Sequence, residues 1–154
     1  MPVIEIVRLR AAHVDALRTF HAALEASGET ELFAPHPFTP DFLHSLCDQQ
    51  RQDLHYVMVD DDDVLGYGML RGWDEGFAVP SLGLAIHPRW RRAGFGLAMM
   101  HFLHAAARRA SATKVRLRVH LSNASAQALY ERLGYRFEPA LDGDGLRAAF
   151  KDLQ

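Results

Sequence analysis

The chain has 154 residues, enough for one domain with a single core, and its 49% hydrophobic and 23% charged content is that of an ordinary globular protein. A formal net charge of −2 argues against a general nucleic-acid-binding or membrane-surface protein, because both need a basic excess. The single cysteine, Cys47, excludes an internal disulfide and fits a reducing cytoplasm. There is no apolar run of membrane-spanning length and no signal-peptide core, so we expect a cytoplasmic protein.

Hydrophobic periodicity predicts strands and helices in mixed order along the chain. The predicted strands are residues 3–10, 55–59, 64–71, 81–86, 115–121, 135–141 and 146–150. The predicted helices are residues 12–27, about 39–52, 97–110 and a short one that Ser122 or Asn123 caps and that ends at Leu133. A proline-containing loop is predicted over residues 29–40. This order of elements indicates one α/β or α+β sheet domain over residues 1–154.

The most informative segment is Arg91-Arg92-Ala93-Gly94-Phe95-Gly96, which lies between a predicted strand and a predicted helix. Glycines let the backbone approach a ligand closely, and a helix N-terminus carries partial positive charge. Three arginines, Arg89, Arg91 and Arg92, add charge that opposes the helix dipole unless an anion is bound there. The lysine of a GxxxxGK[ST] motif and the third glycine of a GxGxxG motif are both missing. We therefore predict a phosphate-bearing cofactor of another kind.

Two motifs resemble those of the GNAT family of N-acetyltransferases. Arg91-x-x-Gly94-x-Gly96 is similar to the family's (Q/R)xxGx(G/A) signature, and Ile86-His87-Pro88 is similar to the end of its fourth strand. Residues 123–135, NASAQALYERLGY, are similar to its NxxAxxLYxxxGF segment. The resemblance covers essentially the whole chain. It implies an α/β (α+β) fold, with a twisted, mostly antiparallel mixed sheet of about seven strands and about four helices. The fourth and fifth strands splay apart to make the cleft for cofactor and acceptor.

The resemblance also implies acetyl-CoA as the co-substrate. Its pyrophosphate is expected on backbone N–H groups of the Arg/Gly turn, and its pantetheine arm beside the end of the fourth strand and Asn123. Taken alone, an asparagine at the start of a helix is typical of an N-cap. The expected cofactor-binding residues are Ile86, His87, Arg91, Arg92, Ala93, Gly94, Phe95, Gly96, Leu97 and Asn123.

No metal is expected, although two groups of potential ligands occur in the sequence. The four consecutive aspartates, Asp60–Asp63, are typical of a solvated hairpin tip. His101 and His104 lie one helical turn apart, and without further ligands we interpret them as residues of a helix surface or core edge.

Tyr130 is the predicted catalytic acid, because the family's tyrosine at this position protonates the leaving thiolate and a phenol within hydrogen-bond reach is able to do so. Many relatives have a basic carboxylate near the start of the fourth strand, where this chain has none. Glu75, in the loop before that strand, is the predicted base, directly or through a water. The alternatives are that Glu75 is an exposed loop residue, that Ser81 orders a water, or that His120 faces the cleft.

Two aromatic-rich loops, Phe33–Phe38 and Trp73–Phe77, are predicted to line the acceptor pocket. The expected substrate-binding residues are His36, Phe38, Trp73 and Ser81. We expect His36 to titrate near neutrality and to help bind or deprotonate an amine. The alternative is that prolines hold this loop against the core.

The function implied is that of an acyl-CoA-dependent N-acyltransferase, moving acetyl from acetyl-CoA to a primary amine by direct attack in a ternary complex. We expect a small-molecule acceptor, with an amino sugar first, because the chain carries no extra docking domain. Nucleic acid and membrane partners are not expected, and the sequence is compatible with a monomer or a homodimer. Two alternatives stay open: a protein N-terminal acetyltransferase of the ribosomal-protein kind, and a non-catalytic acyl-CoA-binding module.

Overall fold

The computed structural model describes residues 2–28 and 33–153, so residues 29–32 of the predicted proline-containing loop lie outside it. In these ranges seven strands form one sheet in the order β1-β2-β3-β4-β5-β7-β6. The strands are β1 Ile4–Arg8, β2 Leu54–Asp60, β3 Asp63–Arg71, β4 Ser81–Ile86, β5 Lys114–His120, β6 Arg136–Leu141 and β7 Leu146–Asp152. The helices are α1 Val14–Ala26, α2 Pro40–Ser45, α3 Phe95–Arg109 and α4 Ala124–Arg132, with short 3-10 turns at residues 11–13 and 88–90.

The centre of the sheet is its weakest point. Every other neighbouring pair of strands is antiparallel, whereas β4 and β5 run parallel and share one register pair, Ser81 with Arg116. The backbone N–H of Arg116 donates to the carbonyl of Pro80 at 3.0 Å, and the two strands are not paired beyond this point. The predicted mixed sheet with a separated fourth and fifth strand is therefore confirmed.

Helices cover both faces of the sheet, because apolar residues alternate to the two sides of its central strands. On one face, α3 buries Met99, Met100, Leu103 and Ala107 in a cluster that includes Leu82 of β4; α4 packs against the same cluster. On the other face, α1 buries Val14, Leu17, Phe20 and Leu24 at helical spacing, together with Leu43 of α2. We call these two sides the α3 face and the α1 face.

The predicted second helix is shorter than expected. It begins at Pro40 after the N-cap Thr39, as predicted, but it ends at Ser45 rather than near Gln52. The side chain of Asp48 accepts the backbone N–H of Gln50 at 2.9 Å, and Arg51 donates to the carbonyl of Ser45 at 2.8 Å. Side-chain hydrogen bonds of this kind compete with helical ones and end the helix.

Candidate active site

The turn before α3 has the backbone geometry of an anion site. Gly94 is the N-cap of α3 and adopts a left-handed conformation with φ of +86°, which favours glycine. The first bond of the helix runs from the N–H of Ala98 to the carbonyl of Gly94 at 3.0 Å. The N–H groups of Phe95, Gly96 and Leu97 therefore have no acceptor within the helix. Because the first turn holds no acidic residue and no side chain caps it, these groups fit a phosphate.

The arginines of this turn have different partners. The guanidinium of Arg91 donates to the carbonyl of Ile86 at 3.0 and 3.2 Å, which fastens the turn to the end of β4. Arg89 lies over the ring of Trp90, with its Cζ 5.5 Å from the ring centroid. Arg92, like Ala93, is exposed, and its backbone is left-handed with φ of +58°. Arg92 is thus the member of the trio whose side chain best suits direct pairing with a phosphate.

The edge of β4 that faces β5 lacks a partner strand along most of its length. Successive residues of a strand direct their backbone groups to alternate sides, and the N–H of His87 donates to Leu65 of β3 at 2.8 Å. Leu82 and Leu84 therefore direct their N–H and carbonyl groups toward the gap. An extended amide chain fits such an edge as an added strand. At the end of β4 the carbonyl of Ile86 is taken by Arg91, and the Nδ1 of His87 accepts the N–H of Arg89 at 3.1 Å.

Tyr130 lies half-buried on α4, against the hydrophobic cluster of the α3 face. Burial raises the pKa of Tyr130 to about 12, so the phenol keeps its proton at neutral pH, as an acid must. Its hydroxyl makes no hydrogen bond with any residue that the structure describes. Asn123 is the N-cap of the same helix, and its Oδ1 accepts the N–H of Ala126 at 3.2 Å.

His36 belongs to a network of aromatic rings on the α1 face. Its Nδ1 donates to the carbonyl of Pro37 at 2.7 Å, so its Nε2 accepts the hydroxyl of Tyr67 at 2.7 Å. The rings of Phe38 and Phe42 lie 4.7 and 5.1 Å from it. Burial lowers the pKa of His36 to about 4, which differs from the expected titration near neutrality. The ring is therefore neutral at pH 7, and the bonds of both its nitrogens hold this part of the loop against Tyr67.

The second aromatic loop is positioned differently from the first. Trp73 packs on the cluster of the α3 face, whereas Phe38 packs on that of the α1 face, so the structure does not bring these two rings together. The carboxylate of Asp74 accepts the N–H of Gln52 at 2.8 Å and ties the loop to the start of β2. Glu75 is exposed, and its carboxylate makes no hydrogen bond or ion pair with any residue in the described ranges.

Ser81 begins β4, and its hydroxyl accepts from the Nη1 of Arg116 at 3.3 Å. His120, on the same strand as Arg116, hydrogen-bonds through Nδ1 to the hydroxyl of Ser122 at 2.8 Å. Sequence patterns alone predict no role for Arg116, Arg71 or Tyr67. The alternation of β5 does assign Arg116 to the polar side of that strand, but alternation alone does not show which loop covers that side.

Residues 2–28 and 33–153 contain neither a cluster of potential metal ligands nor a membrane-spanning helix. No three His, Cys, Asp or Glu side chains come together there in a way that fits a metal ion. None of the helices in these ranges has both the length and the apolar character needed to cross a bilayer.

Comparison with known proteins bears on the same segments. The model of the acetyltransferase (GNAT) family matches residues 18–135. No curated protein matches the chain by sequence. Solved structures share its fold over nearly the whole length. A GCN5-related N-acetyltransferase from Kribbella flavida has a TM-score of 0.79 and 22% identity, with 97% of this chain and 98% of that chain covered.

Two other solved structures are similar. The PaiA N-acetyltransferase from Thermoplasma acidophilum, in complex with coenzyme A, has a TM-score of 0.78 and 18% identity, covering 97% of this chain and 99% of its own. A ribosomal-protein alanine N-acetyltransferase from Escherichia coli has a TM-score of 0.71 and 19% identity, covering 99% and 95%. Since the family model spans most of the chain and includes the Arg/Gly turn and Tyr130, the chain belongs to the acetyltransferase (GNAT) family, whose members are acyl-CoA-dependent N-acyltransferases.

Proposed function

We propose that the protein transfers the acetyl group of acetyl-CoA to the primary amine of a small molecule, by direct attack of the amine within a ternary complex. The observation that carries the proposal is the gap between β4 and β5, which adjoins the unbonded N–H groups at the start of α3. An extended chain with a phosphate at one end fits this combination, because a strand edge and a helix N-terminus lie in succession along it.

This arrangement supports the cofactor-binding roles that we propose. Bound acetyl-CoA supplies an activated acetyl thioester. The N–H groups of Phe95, Gly96 and Leu97 bind its pyrophosphate, and the exposed Arg92 adds charge. The edge of β4 and the side of Asn123 hold the pantetheine arm. Arg91 keeps the turn in position through Ile86, and Gly94 supplies the left-handed backbone that the turn requires.

Tyr130 is proposed as the acid and Glu75 as the base. Tyr130 gives its proton to the sulfur as the carbon–sulfur bond breaks, and Glu75 receives, through a water, the proton that the amine loses as the carbon–nitrogen bond forms. The exposed, unbonded state of Glu75 supports its choice over Asp74, whose carboxylate is already occupied by backbone N–H groups.

For the acceptor we keep the small amine, with an amino sugar as the first class to test. We propose that His36 and Phe38 form one wall of the acceptor pocket on the α1 face, which is also the face of Ser81; Trp73 packs on the α3 face and is not part of this wall. The experiment is release of free thiol from acetyl-CoA in the presence of amino sugars, polyamines, amino acids and N-terminal peptides. Turnover on one class, strongly reduced in Tyr130→Phe, is the expected result.

The same experiment checks the alternatives. Turnover on a peptide but on no free amine assigns the protein to the N-terminal acetyltransferases. Tight coenzyme A binding, measured by calorimetry, without turnover on any acceptor contradicts the proposed enzyme and leaves an acyl-CoA-binding module.

A further inference from the structure

A row of three polar side chains crosses the centre of the sheet. Arg71 at the end of β3 is the register partner of Ser81, and Ser81 is the register partner of Arg116 on β5. Partners in a sheet direct their side chains to the same face. Leu82, next to Ser81, and Leu117, next to Arg116, are buried on the α3 face, so the row faces the α1 side. Two strand spacings place the Cα atoms of the arginines about 10 Å apart.

The described part of the loop before α2, residues 33–39, covers this row in part. The Nη1 of Arg71 donates to the carbonyl of Pro35 at 2.6 Å. Gly83, which faces the same side as Ser81, has the ring of Phe33 close by, since a Cβ on Gly83 would lie 3.9 Å from Phe33 Cε1. Arg71 and Arg116 are both half-buried residues, and the loop contacts the row at Arg71.

Neither arginine of the row is neutralised. Within residues 2–28 and 33–153, Arg71 and Arg116 form no ion pair with a carboxylate. The side chain of Arg71 donates to the carbonyl of Pro35, and that of Arg116 donates to the hydroxyl of Ser81. Arg118 shows the contrast. It lies two residues along β5 on the same face and pairs with Asp142 and Asp144 of the turn between β6 and β7. A half-buried guanidinium without a carboxylate is suited to a ligand anion, which it binds through two parallel N–H groups.

The row lies beside the gap between β4 and β5 that is proposed above to hold the cofactor. Ser81 and Arg116 are the residues at which β4 and β5 meet, and the gap proposed for the cofactor begins immediately beyond them. From Ser81 to Leu84 the strand rises about 10 Å, which is within the reach of a small molecule. An anionic group held at the row leaves an amine, several bonds away, directed along β4 toward the thioester.

We propose that Arg71 and Arg116 form an anion subsite that selects acceptors in which a primary amine is accompanied by a carboxylate or phosphate group. Ser81 lies between the two arginines in the strand register, and because its hydroxyl accepts from Arg116, the hydroxyl proton is available to be donated to the anion. The inference rests on the proposed function and narrows its acceptor to anionic small amines, acidic or phosphorylated amino sugars among them.

The test compares acceptors that differ in the anion alone: phosphoethanolamine with ethanolamine, and 4-aminobutanoate with 4-aminobutanamide. We expect kcat/KM of the wild-type protein to be at least roughly tenfold higher for the anionic member of one pair. The pair that shows the preference distinguishes a phosphate from a carboxylate. In Arg116→Gln and Arg71→Gln, KM for the anionic acceptor rises roughly ten- to hundredfold, while kinetics with the neutral member stay unchanged.

Two further variants separate binding from folding. If Arg71→Gln loses the preference for the anionic acceptor because a positive charge is removed, Arg71→Lys, which keeps that charge, is expected to retain part of the preference. Arg136→Gln removes an exposed arginine of β6 and leaves both members of each pair unchanged. Equal kcat/KM for the two members in the wild-type protein, or an equal loss for both in the arginine variants, overturns the subsite.

If no acceptor is turned over, the proposed function fails but the subsite is still tested. Calorimetric titration of phosphoethanolamine, ethanolamine, 4-aminobutanoate and 4-aminobutanamide into the coenzyme A complex then decides. Tighter binding of an anionic member, lost in Arg116→Gln, supports the subsite. Equal binding of the two members, or none by either, overturns it.

Discussion

The rings of Tyr130 and Tyr135 lie 5.6 Å apart, yet their hydroxyl groups have different surroundings. Tyr135 is buried and hydrogen-bonds to the Nε2 of His104 at 2.7 Å, whereas the hydroxyl of Tyr130 meets no partner among the residues described. One phenol is thus part of the core, and its neighbour is left available for a ligand.

This difference makes Tyr135→Phe a matched control for Tyr130→Phe. We expect Tyr130→Phe to lower kcat by about a hundredfold or more, because the leaving sulfur loses its proton donor. Its free energy of unfolding stays within about 0.5 kcal/mol of wild type, since no hydrogen bond is lost. Tyr135→Phe loses about 1 kcal/mol of stability and keeps its kcat. Thiol-release kinetics measure kcat, and urea unfolding measures the free energy of unfolding. An equal loss of kcat in the two variants argues against Tyr130 as the acid.

Gly94 and Gly96 form a second matched pair. Gly94 has a φ of +86°, so Gly94→Ala is strained by about 1 kcal/mol, although an added Cβ meets nothing within 4 Å. A Cβ on Gly96 would lie 3.9 Å from Ile86, an ordinary contact. We expect Gly94→Ala to raise KM for acetyl-CoA several-fold and Gly96→Ala to leave KM and stability nearly unchanged. Thermal unfolding and acetyl-CoA saturation curves check this, and similar KM values in both variants contradict it.

Glu75 is tested against its neighbour Asp74. If Glu75 is the base, Glu75→Gln lowers kcat by about a hundredfold and removes the acidic limb of the pH–rate profile, with stability unchanged. Asp74→Asn weakens the bonds to the start of β2, so we expect it to cost about 1 kcal/mol of stability and leave the profile intact. A normal profile in Glu75→Gln means that the base lies elsewhere, with a water on Ser81 or His120 as the remaining candidates.

Stability is expected to fall in mild acid because buried histidines resist protonation. Burial lowers the pKa of His55 to about 3 and that of His104 to about 4, from an ordinary value of 6.5. The unfolded chain therefore binds protons first, so their contribution is complete above pH 6.5 and is lost as the pH falls toward 4. When the pH falls from 7.5 to 5, each of these histidines lowers the free energy of unfolding by about 2 kcal/mol.

Urea unfolding at the two pH values measures this loss. Neither ring nitrogen of His55 has a hydrogen-bond partner among the described residues. His55→Phe is therefore expected to remove about a third of the loss that His36, His55 and His104 cause together, because burial lowers the pKa of all three, and to cost no stability at pH 7.5. An unchanged pH dependence in this variant shows that other groups cause the acid sensitivity.

Local patterns were enough to predict most of the fold. The strand alternation of β5 and the spacing of buried residues in α1 and α3 have strong periodicity, and Gly94 marks the start of α3 because few other residues adopt its backbone conformation. The end of α2 was missed, since it depends on single side-chain bonds of Asp48 and Arg51.

The parts of the site that the sequence left out depend on contacts between distant segments. Arg71, Ser81 and Arg116 become one row only through strand register, which three separate stretches of sequence do not reveal. The low pKa of His36 likewise depends on Tyr67 and Phe42, residues of two other elements that bury it. Trp73 and Phe38 look alike as loop aromatics, and only packing assigns them to opposite faces.

The single pair between β4 and β5 divides the chain into two consecutive halves. Strands β1–β4 come from residues before 87 and strands β5–β7 from residues after 113, and the two groups are held together mainly by side chains such as Leu82, Leu103 and Leu117 in one cluster. The spacing between the halves is therefore set by the volumes of apolar side chains rather than by a backbone ladder. A core substitution in α3, far from any reacting atom, thereby acquires a direct influence on the width of the cleft.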